Sequence, residues 1–160
     1  MKPHIQPHQL IVSVLAGISI SFIENELHDM QPVIRIMPNT SSAIGASATA
    51  MAEGSHVTAD LSKTAKQLLQ CMGEVYSIEE SKMDIFTGIA GSGPAYFYYL
   101  MEHIEKAGAE AGLSQKLTRE IGAQTLLGAA KMLLESSEDT AVLKDNITSP
   151  NGTTAAGLKA

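Results

Sequence analysis

The sequence has one cysteine and no tryptophan, and aromatic residues make up only 4% of its 160 residues. The lone Cys71 excludes an internal disulfide framework and a cysteine-based zinc site, and it favours a reducing, cytoplasmic location. No apolar run approaches the roughly 20 residues that a membrane span requires, and the first residues lack the apolar core of a secretory signal. We therefore expect a cytoplasmic protein that does not insert into a membrane.

Positively charged residues are also few. Lysine and arginine together number 11, against 17 aspartates and glutamates, which gives a formal net charge of −6. Without a basic patch, neither nucleic acid nor an anionic membrane surface is an expected partner. The histidines do not form a metal motif, because Pro7 breaks any helix that would align His4 with His8. With 44% apolar residues, the chain is expected to fold as a packed globule with no metal.

The first half of the sequence alternates strand and helix patterns. Apolar runs over 10–15, 32–37 and 74–78 predict buried strands. Helical spacing of apolar residues predicts helices over 19–28 and 58–72, and Thr58 caps the second. Small residues over 43–52 predict a further extended segment. This order is typical of doubly wound α/β proteins, so we predict a partial Rossmann-type parallel sheet as a dinucleotide-binding domain over residues 1–80.

The second half predicts helices only. Pro94 suits the first turn of a helix that extends to about residue 111, and Ser114 caps a helix that extends to about residue 135. Between residues 121 and 134 the only polar residues are Gln124, Thr125 and Lys131. A helix that is apolar on nearly every side must be covered, and a second copy of the chain is the natural cover. We predict an all-α dimerisation and substrate-binding domain over residues 81–160.

Three segments have the composition of ligand sites. Lys2-Pro3 precedes the first strand, and Pro38 ends the second strand, where doubly wound sheets bind ligands. Taken alone, the segment 35–40 around Pro38 is explained better by an ordinary turn that ends a strand. The third segment is a predicted loop over 143–154, which is rich in hydroxyl and amide side chains and precedes a helix expected from Ala155. A carboxylate could bind there, because Gly152 permits close approach and the helix N-terminus offers N–H groups; an elaborate N-cap is the alternative.

In these motifs the sequence resembles the pyrroline-5-carboxylate reductase family over essentially its whole length. The similarity is carried, in chain order, by Lys2-Pro3, by the segments 35–40 (RIMPNT), 91–96 (GSGPAY) and 128–132 (GAAKM), and most strongly by 143–146 (LKDN) with 149–154 (SPNGTT). Each motif alone is weak, but together and at family-like spacing they are specific. The resemblance implies reduction of 1-pyrroline-5-carboxylate to L-proline by NADPH or NADH, in a homodimer or a larger ring of dimers.

The resemblance also implies roles for individual residues. Cofactor contacts fall on seven positions: Lys2, Pro3, Val14, Leu15, Ala16, Pro38 and Asn146. Thr153 and Thr154 match the positions that hold the substrate, and we expect backbone N–H groups from Gly152 to Thr154 to bind its carboxylate. Thr154 is the expected catalytic residue, because its hydroxyl would bond the ring nitrogen as that atom becomes an amine. Asn151 replaces a glycine of many relatives and can adopt positive φ at modest cost.

Two departures leave alternatives open. The glycine-rich turn that cradles the pyrophosphate in the family is absent from these 160 residues, as is the family's final helix. A truncated, non-catalytic dimerisation module is therefore the second hypothesis. A β-hydroxyacid dehydrogenase of similar plan is a third, but it leaves the segment 149–154 unexplained. Ser137 aligns with an acidic residue of some relatives, and neither it nor Glu138 is assigned a role.

Overall fold

The protein has an α/β fold followed by helices, described over residues 4–159 in a computed structural model. The chain divides into two compact units, Met1–Tyr98 and Tyr99–Ala160. Over the described residues, the first unit contains the four strands, and the secondary structure of the second unit is helical. The domain boundary that the sequence predicts near residue 80 follows the last strand and stays a prediction.

The first unit is built on a four-stranded sheet. Its strands are β1 (Ile11–Ser13), β2 (Val33–Met37), β3 (Ser47–Glu53) and β4 (Gly73–Ser77), and they lie in chain order. β1 and β2 are parallel, as are β3 and β4, but β2 and β3 are antiparallel. The expected parallel pairing is therefore wrong at the centre of the sheet. The stretch 38–46 is too short for the crossover of a dozen or more residues that a parallel connection requires.

Helices cover both faces of the sheet. Alternate residues of β2 point to opposite sides, so that Val33 packs with α1 (Ile20–Glu26) while Ile34 and Ile36 pack with α2 (Ala59–Leu69). Four β2 residues in a row are buried, which is the pattern of a strand covered on both faces. The two hydrophobic cores of the first unit lie on either side of this strand.

Side-chain caps place three helix starts where the sequence predicts them. Ser19 Oγ accepts from the Phe22 N–H at 3.1 Å, Thr58 Oγ1 from the Leu61 N–H at 3.3 Å, and Ser114 Oγ from the Leu117 N–H at 3.3 Å. α2 ends at Leu69, and a 3₁₀ turn (Gln70–Met72) then leads to Gly73. Gly73 has φ 134°, and a side chain there would collide with the backbone of Ser47.

A short helix and a π turn lead out of the sheet. After a 3₁₀ turn (Glu80–Lys82), the helix α3 (Met83–Phe86) continues into the π turn Thr87–Gly91 and then into α4 (Gly93–Glu110). Pro94 lies in the first turn of α4, where the sequence predicts it. Widened turns of this kind are frequent at functional sites.

The second unit consists of the end of α4, α5 (Gln115–Glu135), α6 (Thr140–Asn146) and α7 (Thr153–Gly157). The predicted loop over 143–154 is wrong at its start, because the Leu143 N–H donates to the Asp139 carbonyl and residues 143–146 are helical. The expected start at Ala155 is also late, since α7 begins at Thr153. No helix described between residues 4 and 159 has the length and apolar character needed to cross a membrane.

Candidate functional site

The carboxyl ends of β1 and β2 lie side by side. The two strands are parallel, with Ser13 opposite Arg35, so Val14–Ala16 and Pro38 follow strands that end at the same edge of the sheet. Val14 and Leu15 are 58% and 55% exposed, whereas Pro38 is half-buried. Ligands of open α/β sheets bind beyond such strand ends. We call the surface formed by Val14–Ala16 and Pro38 the apolar edge. An exposed apolar surface of this kind suits one face of a planar ring.

The turn after β1 has a defined shape. The Leu15 N–H donates to Ser13 Oγ at 3.3 Å, and Gly17 adopts φ 74°, a conformation that glycine reaches without strain. The chain then enters α1 at Ile20. These features fix Val14, Leu15 and Ala16 on a short turn between β1 and α1. The structure thus brings four of the predicted cofactor residues, these three and Pro38, to one region of the first unit.

The N-terminus of α1 is already occupied by a side chain. Glu80 Oε1 accepts from the Ile20 N–H at 2.8 Å and from Arg35 Nη1 at 2.9 Å. A helix N-terminus can bind phosphate, but here a carboxylate of the protein fills that role. α1 is therefore a framework for the apolar edge and does not offer its end to a pyrophosphate. Sequence reasoning missed Glu80, because it lies far along the chain from both partners.

Asn39, directly after Pro38, is held by three hydrogen bonds. Its Nδ2 donates to the Ala90 carbonyl at 3.0 Å, its Oδ1 accepts from the Ser41 N–H at 3.0 Å, and its backbone N–H donates to Ser47 Oγ at 3.1 Å. Ala90 belongs to the π turn, so Asn39 connects the end of β2 to that turn. The sequence motif contains Asn39, but no local pattern predicts its partner at residue 90.

The predicted substrate residues lie on the turn between α6 and α7, in the second unit. Gly152 is the N-cap of α7, and Asn146, which is a predicted cofactor residue, is the last residue of α6 and is exposed. Thr153 and Thr154 open α7, with Thr153 exposed and Thr154 half-buried. No side chain caps this helix among the described residues, so its first turn is not closed by an N-cap hydroxyl or carboxylate. The alternative interpretation of this segment, an elaborate N-cap, therefore lacks its side-chain hydrogen bond.

The backbone of this turn is set by Asn151 and Gly152. Asn151 has φ 58°, a positive value of the kind that asparagine can adopt at modest cost. The Gly152 N–H donates to the Ser149 carbonyl at 3.0 Å, and a side chain at Gly152 would collide with Ser149 Oγ. The absence of a side chain at Gly152 therefore allows Ser149 to pack closely within the turn itself. Lys2 and Pro3, the remaining predicted cofactor residues, lie outside the described residues.

A separate depression of about 310 Å³ lies at the other end of β2. It is lined by residues that end α1 or precede β2, and by one residue after β3: Glu24, Asn25, His28, Asp29, Met30, Gln31 and His56. Residues 28–31 precede β2, whereas Pro38 follows it, so this depression is distinct from the apolar edge. Over residues 4–159, no group of three His, Cys, Asp or Glu side chains is placed to hold a metal ion.

Comparison with known proteins gives a consistent result. The family described as "Pyrroline-5-carboxylate reductase dimerisation" matches residues 80–160. Over 160 residues the chain is 72% identical to pyrroline-5-carboxylate reductase 1 of Bacillus spizizenii, covering 100% of this chain and 54% of the relative. It is 42% identical over 160 residues to pyrroline-5-carboxylate reductase 2 of Bacillus subtilis, covering 57% of that relative. The chain spans about half the length of the curated relatives it matches.

Solved structures give the same similarity in three dimensions. A 1-pyrroline-5-carboxylate reductase from Streptococcus pyogenes matches with a TM-score of 0.88 at 38% identity, covering 94% of this chain and 58% of the other. A pyrroline carboxylate reductase from Plasmodium falciparum, solved with NADP bound, matches with a TM-score of 0.88 at 33% identity, covering 94% and 61%. The similarity therefore extends over both units of the described chain.

Proposed function

The chain belongs to the pyrroline-5-carboxylate reductase family, and from that premise we propose that the protein reduces 1-pyrroline-5-carboxylate to L-proline with NADPH or NADH, as the last step of proline biosynthesis. The observation that carries the proposal is the 72% identity to a named reductase across all 160 residues. The apolar edge at Val14–Ala16 and Pro38 supports it, because that edge has the chemistry a nicotinamide ring requires. A cytoplasmic location, which the lone cysteine favours, is part of the proposal.

The first unit is proposed to bind the nicotinamide half of the cofactor. Val14 and Leu15 expose apolar side chains that a planar ring would cover, and Pro38 presents a rigid ring of its own beside them. The bound NADPH or NADH supplies the hydride, and the protein's task is to orient the two rings and exclude water. Lys2, Pro3 and Asn146 complete the proposed set of cofactor contacts.

The turn before α7 is proposed to bind the substrate. The negative group of the substrate is a carboxylate. The N–H groups from Gly152 to Thr154 are donors of the kind from which carboxylates accept hydrogen bonds. The Thr154 hydroxyl is proposed to hydrogen-bond the ring nitrogen of the cyclic imine. An iminium substrate already carries its proton, so the hydroxyl acts by holding that nitrogen in place while it becomes an amine.

The second unit is proposed to pair with a second copy of the chain. α5 has 21 residues, of which only Thr118 and Gly122 are buried within the chain. Ile121, Leu127 and Leu133 are each about half exposed, at 52%, 49% and 49%. A soluble helix does not leave such a surface in water. The family description names dimerisation for residues 80–160, and we propose a homodimer or a ring of dimers.

The proposed activity is tested by NADPH and NADH oxidation with pyrroline-5-carboxylate as substrate. The intact mass of the same sample should be measured, because a chain of 16.9 kDa and a longer chain make different predictions about turnover. Substrate-dependent oxidation that produces proline supports the reductase. A chain that forms dimers but neither oxidises nor binds NAD(P)H supports the alternative, a non-catalytic dimerisation module.

A further inference from the structure

The helical path from Met83 to Glu110 contains a carbonyl that the helix itself cannot satisfy in the usual way. In an α-helix the carbonyl of Ala90 would accept from the N–H four residues later, which is position 94. That position is Pro94, which has no N–H to donate. The next N–H, that of Ala95, donates to the Ser92 carbonyl at 3.0 Å. The π turn and the start of α4 therefore leave Ala90 in need of a donor from elsewhere.

Asn39 is that donor. Its Nδ2 lies 3.0 Å from the Ala90 carbonyl oxygen, although the two residues are far apart in sequence. The orientation of the amide is determined, because its Oδ1 accepts from the Ser41 N–H and only the NH₂ group is left to face a carbonyl. A rotated amide would place two acceptors against each other at Ala90 and two donors at Ser41.

The backbone of Asn39 is anchored as well. Its N–H donates to Ser47 Oγ, which lies 3.0 Å from Thr49 Oγ1. Ser47 and Thr49 are on β3 and are 2% and 0% exposed. Asn39 therefore joins a rigid buried pair on the sheet to the π turn, and Pro38 is the residue immediately before it. Because the φ of proline is fixed, the anchoring of Asn39 also limits the conformations open to Pro38.

We propose that Asn39 is a positioning residue, which holds Pro38 in the apolar edge proposed to bind the nicotinamide ring, by supplying to Ala90 the hydrogen bond that Pro94 withholds. This inference rests on the proposed function for the role of the apolar edge. The replacement of the missing Pro94 N–H by the Asn39 amide as donor to Ala90 rests on the structure alone. It predicts an energetic coupling between two residues that do not need to touch. Removing the Asn39 donor should matter when residue 94 is proline and should matter much less when residue 94 has an N–H.

The coupling is tested by a double-mutant cycle in the full chain, with Asn39→Ala, Pro94→Ala and the double variant. The readout is amide hydrogen exchange of residues 87–92, which needs no activity. We expect Asn39→Ala to accelerate exchange there by about tenfold, and by less than about threefold in the Pro94→Ala background. Asn25→Ala, at an exposed position on α1, is the matched control and should change nothing in this segment. Equal acceleration in both backgrounds, or none in either, overturns the proposal.

Asn39→Asp separates the two ends of the side chain and guards against an unfolded alanine variant. It keeps an acceptor for the Ser41 N–H but places an oxygen against the Ala90 carbonyl. Exchange of residues 87–92 should accelerate at least as much as in Asn39→Ala, while Ser41 stays protected. Loss of protection at Ser41 with an unchanged π turn would show that the cap of residues 40–44, and not the bond to Ala90, is what Asn39 maintains.

The link to the apolar edge is tested with NADPH on the unsubstituted chain, Asn39→Ala, Pro94→Ala and the double variant. Asn39→Ala should raise the KM for NADPH by about tenfold and enlarge the isotope effect of 4-deuterated NADPH on kcat/KM, with Pro94→Ala reversing most of both changes. Unchanged KM and isotope effect would make the role structural only and overturn the positioning claim. If the unsubstituted chain shows no turnover, the proposed function fails separately. Calorimetric NADPH affinity then replaces KM, and a loss that Pro94→Ala reverses still supports Asn39.

Discussion

Glu80 binds Arg35 with the same carboxylate oxygen that caps α1. Oε1 of Glu80 lies 2.9 Å from Arg35 Nη1 and 2.8 Å from the Ile20 backbone nitrogen. The Arg35 side chain is only 7% exposed, whereas that of Glu80 is 29% exposed. A guanidinium buried to this extent depends on its partner, because an isolated charge in the core is costly. The pair therefore ties the centre of the sheet to α1 and to the turn that follows β4.

Removal of the Glu80 carboxylate should destabilise the first unit strongly. Glu80→Ala leaves Arg35 buried without its counter-ion and the Ile20 N–H without its acceptor, so we expect a loss of about 3 kcal/mol in the free energy of unfolding. Denaturant unfolding at fixed protein concentration measures it. Glu80→Gln, which keeps an acceptor, should lose less. Glu79→Ala is the neighbouring control, exposed and outside this pair, and should stay within about 0.5 kcal/mol. Equal losses at both positions would contradict the assignment.

The Thr154 hydroxyl should contribute to the chemical step. Thr154→Ala should lower kcat/KM for pyrroline-5-carboxylate by roughly 30- to 900-fold, because loss of one positioned donor costs about 2–4 kcal/mol of barrier. Thr154→Ser keeps the hydroxyl and should retain most of the activity. Thr64→Ala, an exposed threonine on α2, is the control for the same chemical change. A kcat/KM for Thr154→Ala equal to that of the unsubstituted protein would remove Thr154 from the mechanism.

The positive φ of Asn151 should govern which substitutions the substrate turn accepts. At φ 58° a glycine is unstrained, so Asn151→Gly should leave the KM for the imino acid and the stability nearly unchanged. Asn151→Ala should cost about 1 kcal/mol, and a β-branched Asn151→Val more, with KM rising in the same order. Steady-state kinetics on the three variants checks the order. A glycine variant as impaired as the valine variant would show that the Asn151 side chain, and not its backbone, is required.

The exposed face of α5 should be buried between copies of the chain. Light scattering on the purified protein should give a multiple of the chain mass, at least about twice as large. Ile121→Glu should shift the protein toward the monomer, because a carboxylate in an apolar interface is desolvated without a partner. Leu68→Glu places the same charge on an exposed leucine of α2, which is 69% exposed, and should leave the mass unchanged. A monomeric unsubstituted protein would contradict the pairing.

Local features of the fold could be predicted from the sequence. Thr58 and Ser114 cap the helices that their spacing predicts, because a cap depends only on residues three positions apart. The small residues of β3 do not indicate its direction, although the short stretch before it disfavours parallel pairing with β2. Small residues indicate an extended segment, but whether it pairs parallel or antiparallel depends on the length of the connection and on the partner that the whole sheet provides.

The same distinction between local and long-range features holds for the candidate site. Pro38 and the residues after β1 follow strands, so their place at the edge of the sheet could be expected from chain order. The bond from Asn39 to Ala90 could not, since the residues are 51 positions apart. Pro94 gives no signal of this bond, because it suits the first turn of the predicted helix and residue 90 lies before that helix.

The most direct test of the proposed reductase is the transfer of deuterium from NADPH labelled at C4 to the product. The purified chain, with its intact mass verified, is incubated with pyrroline-5-carboxylate and labelled NADPH of each stereochemistry, and proline is analysed by mass spectrometry. We predict L-proline heavier by one deuterium with one of the two stereoisomers, and none when the chain is left out. The absence of proline after the folded chain has been incubated with each stereoisomer would contradict the proposed reductase activity.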